Sequence, residues 1–187
     1  MADTPYLTDH FLIAMPALED PSFQRAVTLI CQHDASGAMG IVINRPADYT
    51  VGELLSQLDI PGSPEGLAGL PIVAGGPVHT DRGFVVHDDA REWNSTLRLG
   101  HGLAVTTSRD ILAAMARGDG PRRVLVALGY SGWTAGQLEQ ELAQNSWLTV
   151  PVDQAIVFDT PLDERWQAAG RALGVDITQM ADYAGHA

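Results

Sequence analysis

Residues 25–46, RAVTLICQHDASGAMGIVINRP, limit the possible folds more than any other stretch, because two apolar runs flank a short Asp-Ala-Ser-Gly break. Side chains alternate across a strand, so Val27, Leu29, Cys31 and His33 share one face and Ala26, Thr28, Ile30 and Gln32 the other. The break supplies residues that tolerate a tight turn. The run at 39–44 then returns as a partner strand, and Pro46, which cannot donate to a ladder, ends it. The stretch reads as a central hairpin carrying the chain's one cysteine.

Short apolar runs continue along the chain. Strands are expected at 11–16, 71–74, 83–87, 97–99, 103–106, 147–152 and 155–158, and at 124–128, which is apolar throughout and so covered on both faces. Helices are expected where a cap precedes a period near 3.6. Thr50 with Glu53 opens one that stops before Pro61, Thr107 with Asp110 opens one through Arg117, and Thr134 with Gln137 opens a third. Thr160-Pro161 opens a last helix that buries Leu162, Trp166, Ala169 and Leu173, with Gly174 at its C-terminal cap. Residues 59–70 form a surface loop, and the end of the chain, Gly-His-Ala, is polar. Hairpins dominate the first hundred residues, which favours an α+β fold with a mixed, bent sheet over a doubly wound parallel one.

With 187 residues the chain is sized for a single domain, 1–187, and can bury a core without staples. All 11 basic residues are arginine, which excludes a phosphate-loop lysine and a Schiff-base lysine. Against 23 acidic residues they leave a formal charge of −12, which repels a nucleic-acid backbone. One cysteine allows no internal disulfide, and no window reaches the roughly 18 apolar residues of a membrane span; a cytoplasmic protein is expected.

The segments GAMGIVINRP at 37–46, GGPV at 75–78, RGFVVH at 82–87, GYSGWTAGQLEQEL at 129–142, NSWL at 145–148 and FDTPLDERW at 158–166 together resemble the AlgH/YqgE family of bacterial proteins. They span nearly the whole chain. One departure is Thr134, where glycine is more usual after GYSGW. The resemblance implies a strongly coiled sheet curling towards a pseudo-barrel, with helices packed around it. It implies a regulatory label through the family name, and neither cofactor nor catalytic residues to carry over.

Several groups are chemical candidates. On a shared face, Cys31 and His33 have Cα atoms roughly 7 Å apart, near enough for His33 to stabilise a thiolate for nucleophilic or redox-sensing work. The plainer account makes Cys31 a small buried hydrophobe. Ser131 lies in Gly-Tyr-Ser-Gly-Trp, placed by the segment reading at a strand-to-helix junction, but Trp133 stands where a nucleophile elbow needs its last glycine. Asn44 and Arg45 leave the hairpin where the Gly75-Gly76 turn can approach them, making a polar rim at which Arg45 would grip a carboxylate. Trp133, Trp147 and Trp166 fit core positions better than a stacking wall. The six histidines show no metal-binding spacing, although His87-Asp88-Asp89 is a local donor cluster. The expected function is a non-enzymatic binding or regulatory protein that engages a small anionic ligand or a protein partner, with no cofactor, metal or membrane. A cysteine-dependent sensor or thiol enzyme is the alternative. A transcriptional regulator is a further one by family name alone, and direct contact with nucleic acid is disfavoured.

Overall fold

The computed structural model describes residues 6–62 and 64–180, so the polar Gly-His-Ala end lies outside the described residues. Strands β1 (His10–Ala14), β2 (Val27–Asp34), β3 (Gly37–Val42) and β4 (Pro46–Thr50) lead into helix α1 (Val51–Gln57). Then come β5 (Pro71–Ala74), β6 (Val78–Asp88), β7 (Thr96–Gly100), β8 (Leu103–Thr106) and helix α2 (Arg109–Ala116). The last third holds β9 (Val124–Thr134), α3 (Gln137–Ala143), β10 (Trp147–Pro151), α4 (Gln154–Phe158), a 3-10 turn (Leu162–Glu164) and α5 (Arg165–Ala172).

Ten strands form one curled, mixed sheet, a half-barrel, with a main order of β10-β1-β2-β3-β9-β6-β8-β7. β9 organises it. Along one edge it pairs antiparallel with β6, from Val124↔His87 to Tyr130↔Val78. Along the other it takes two strands end to end, β5 in parallel at Ala127 and Leu128 and β3 antiparallel from Ser131 to Thr134. Gly75 fills the junction, its N–H donating to the Leu128 carbonyl and its own carbonyl accepting from the Val42 N–H, each at 2.8 Å. Gly129 bends β9 there at φ 79°, and a Cβ on it would stand 2.6 Å from the Gly76 carbonyl oxygen, so glycine is required.

Three cores follow from this curl. The largest joins Phe11, Leu29, Ile41, Phe84 and Val105 with Val157 of α4 and Trp166 of α5. A second lies under α1 and α2 and includes Leu55, Ile111 and Val126. The third, under α3, packs Leu12 and Ile30 against Trp133, Leu138 and Trp147. All three candidate tryptophans are core residues. Glu141 accepts the indole N–H of Trp133 at 3.2 Å and of Trp147 at 3.0 Å, and the Ala14 carbonyl accepts that of Trp166 at 2.9 Å.

Most expected strands are present, several of them extended. Thr50 caps α1 as read, accepting the Glu53 N–H at 3.3 Å, and Gly174 adopts φ 86° past α5. Five expectations are corrected, the first being Leu173, which stands at the α5 C-cap 39% exposed rather than buried. Residues 155–158 are helical, because Asp153 accepts the Ala155 N–H at 2.9 Å and starts a turn whose Ile156 and Val157 reach the core. Pro46 does not end the sheet but begins β4, the first-residue position at which a strand tolerates proline. Ser108, not Thr107, stands at the α2 N-cap. Gly136 stands at the α3 N-cap, while Gln137 reaches back to the Thr134 N–H at 3.0 Å.

Candidate functional site

Across the concave side of the half-barrel runs a trough of about 590 Å³. Cys31 and Gln32 of β2 and Met39 of β3 form one wall; Asn94, Thr96 and Leu97 form the facing wall, with Val105 and Thr107 beside them. Phe84 of β6 and Tyr130 of β9 form the floor, their rings edge to face at 5.8 Å. Among the lining residues only Arg82 is charged. Its guanidinium lies 5.5 Å over the Phe84 ring and has no carboxylate partner among the described residues. An apolar floor, a hydroxyl-rich wall and one cation suit a small molecule with an apolar body and an anionic end.

A hydrogen-bond chain, buried at its His87–Thr106 link, stiffens the facing wall. The Trp93 N–H donates to Thr96 Oγ1 at 2.8 Å, and the Thr96 and Thr106 hydroxyls meet at 2.7 Å. Thr106 Oγ1 is 2.7 Å from His87 Nε2, and His87 Nδ1 donates to the Asp88 carbonyl. Because a carbonyl only accepts, Nδ1 carries the proton and Nε2 accepts from Thr106, which gives the whole chain one direction. Burial pushes the His87 imidazole below its usual value, opposed by its hydrogen bond to Asp88 and by the Asp88 and Asp89 carboxylates.

Cys31 reaches the trough wall, but its side chain is spent on packing. It is 2% exposed, its thiol donates to the Leu29 carbonyl at 3.7 Å, and burial pushes its pKa up to about 12. The sulfur is therefore held as the neutral thiol rather than the thiolate. His33 is not its partner, which corrects the shared-face expectation. A bulge between Ile30 and Gln32 inserts one residue into β2, so Cys31 stays with the large core while His33 turns to the α3 side. There Nδ1 accepts the Leu7 N–H at 2.9 Å and Nε2 donates to Glu139 at 2.7 Å.

The rim expected around Arg45 is also taken up internally. Asn44 accepts the Val27 N–H at 2.9 Å and donates to the Arg25 carbonyl at 2.8 Å. Arg45 donates to the carbonyls of Ser22 and Gln24, pinning the loop before β2. Gly75 and Gly76 press against β9, where a Cβ on Gly76 would lie 2.2 Å from the Tyr130 carbonyl. None of the four lines the trough. Ser131 lies inside β9 rather than at a strand-to-helix turn, fully buried with its hydroxyl donating to the Gly75 carbonyl at 3.3 Å. His87, Asp88 and Asp89 do not converge on a metal position. Among the described residues no cluster of three or more His, Cys, Asp or Glu side chains does.

Sequence reasoning passed over Arg82 and the Thr96–Thr106 pair. The available signal was Arg82-Gly83-Phe84, a cation and an aromatic on one face of a strand directly after the glycine turn.

A family model described as AlgH-like (DUF179) matches residues 11–178. A UPF0301 protein of Xanthomonas campestris pv. campestris is 60% identical over 181 residues, covering 97% of this chain and 96% of the relative. One from Xanthomonas oryzae pv. oryzae is 59% identical with the same coverage. The solution structure of the AlgH protein from Pseudomonas aeruginosa superposes with a TM-score of 0.80 at 49% identity, covering 100% of this chain and 99% of that one. A crystal structure of protein DIP2367 from Corynebacterium diphtheriae shares the fold, with a TM-score of 0.75 at 20% identity over 96% of this chain and 94% of the other.

Proposed function

The chain belongs to the AlgH-like family, and from that premise we propose that it is a binding protein whose concave trough holds a small amphiphilic anion. The observation that carries this reading is the Arg82 guanidinium, without a carboxylate partner among the described residues, beside an aromatic floor of Phe84 and Tyr130. A guanidinium with free donors binds a carboxylate or phosphate by charge-assisted hydrogen bonds, and the floor takes the apolar remainder. The role is regulatory rather than catalytic, with occupancy reporting the ligand's concentration in the cytosol.

Two features weigh against the thiol alternative: the buried, protonated Cys31 sulfur and the placement of His33 on the other face of β2. The net charge of −12 weighs against direct contact with a nucleic-acid backbone. The test is an amide NMR titration with a panel of small aryl and alkyl carboxylates and phosphates. Saturable shifts at Arg82, Phe84, Thr96 and Tyr130 are expected. Arg82→Ala should weaken binding by about tenfold or more while leaving the melting temperature unchanged, since Arg82 is exposed. A panel without a saturable response at the trough sinks the reading.

A further inference from the structure

Arg165 stands apart from the chain's other cations. It is the first residue of α5, is 5% exposed, and no carboxylate lies within ion-pair reach of it among the described residues. Its Nε donates to the Thr160 carbonyl at 2.8 Å and Nη1 to the Ile43 carbonyl at 2.6 Å. Asp159, the acid whose charge acts on it, is already bound to Arg123. A guanidinium has five N–H donors, so three remain after these two bonds. Nη2 makes no hydrogen bond among the described residues and is not fully enclosed. Arg165 lines a cavity of about 300 Å³.

Buried charges in folded proteins are neutralised by a partner charge or shift towards their neutral form. Two carbonyls hold the Arg165 guanidinium without supplying a negative charge. Burial lowers its pKa to about 10, with Asp159 the one opposing influence. The cavity sits at the seam of two cores, between Val157 and Leu125 of the larger and Val51 and Val126 of the smaller. Its walls are mostly apolar, and Leu70, 37% exposed, stands among its lining residues on the solvent side.

We infer that Arg165 anchors a second ligand site, separate from the trough, which takes a small monocarboxylate with an apolar tail. The charge balance selects the head group. One uncompensated cation matches one negative charge, whereas Asp159 on the rim and Asp163 and Glu164 in the adjoining turn repel a dianion such as phosphate. The volume selects the size, being at the lower end for small-molecule sites.

The experiment is an NMR titration of isotopically labelled protein with hexanoate, and with hexanamide as the neutral isostere, following the Arg165 Nε–Hε signal and the methyls of Val157 and Leu162. Hexanoate should give saturable shifts at all three, with hexanamide at least about tenfold weaker. Arg165→Lys should weaken hexanoate by a similar factor and Leu70→Trp, which closes the mouth from an exposed position, should abolish it. Arg82→Ala should change nothing here. Equal binding of acid and amide, no saturable shift at the three probes, or unaltered affinity in Leu70→Trp each overturns the inference. Shifts confined to Arg82, Phe84 and Tyr130 overturn it too, yet leave the trough reading standing. Should Arg165→Lys fail to fold, the wild-type titration and Leu70→Trp decide.

Discussion

His87 is a residue whose surroundings are arranged for one protonation state. Its Nε2 accepts from Thr106, so a proton added there would meet a hydroxyl already oriented to donate, and the Thr106 and Thr96 hydroxyls would have to turn. Burial disfavours the charged imidazole, so the folded protein takes up this proton less readily than the unfolded chain. Because the folded pKa is lowered, the contribution to stability is complete above the unfolded histidine value of about 6.5 and is lost as the pH falls below it. Urea midpoints should be flat from pH 8 to about 6.5 and decline below that. His87→Gln should remove the decline in this window and lower the midpoint at pH 8. The acid loss from carboxylates such as Asp34, held below its usual range by the Ser36 hydroxyl and N–H, belongs to a separate window near pH 4. An unchanged slope in the variant would assign the pH dependence elsewhere.

Among the elements, β9 was legible from its residues over one half and not over the other. Its first five residues, 124–128, are apolar at every position and identified a covered strand, as did the alternating runs of β2 and β8. Gly129 looked like the end of that strand, but its left-handed φ bends β9 and the ladder continues to Thr134. The clue was the period of two in the next residues, with Ser131 and Trp133 buried and Gly132 and Thr134 exposed. The β2 bulge was not legible, because one inserted residue leaves no mark on composition while turning His33 to the opposite face. Nor was the trough, whose residues come from six strands and the loops beside them, brought together by curl. Gly129→Ala must put a Cβ against the Gly76 carbonyl at a strained φ, and a loss of roughly 2–4 kcal/mol is expected. Chemical denaturation measures it, and a loss under about 1 kcal/mol would show that β9 bends without needing glycine.

At the scale of the whole molecule, Cys31 reports on global opening. Its sulfur lies among side chains of the largest core, contributed by strands from both ends of the sheet, so no local fraying exposes it. Alkylation of the native protein should rise with denaturant along the same slope as global unfolding. Fast labelling without denaturant would instead reveal a local opening of the β2 wall. The way β9 closes the sheet also bears on how the protein is made. Of the residues around the trough, Tyr130 is the last to leave the ribosome, and β10, which covers the free edge of β1, comes later still. A nascent chain halted before residue 124 therefore carries both walls with only the Phe84 half of the floor between them, its Phe84 and Val105 faces bare and the edges of β1, β3, β5 and β6 that β9 and β10 cover unpaired. Vectorial synthesis leaves this fold dependent on its final third, and the half-made chain is a natural client for a holding chaperone.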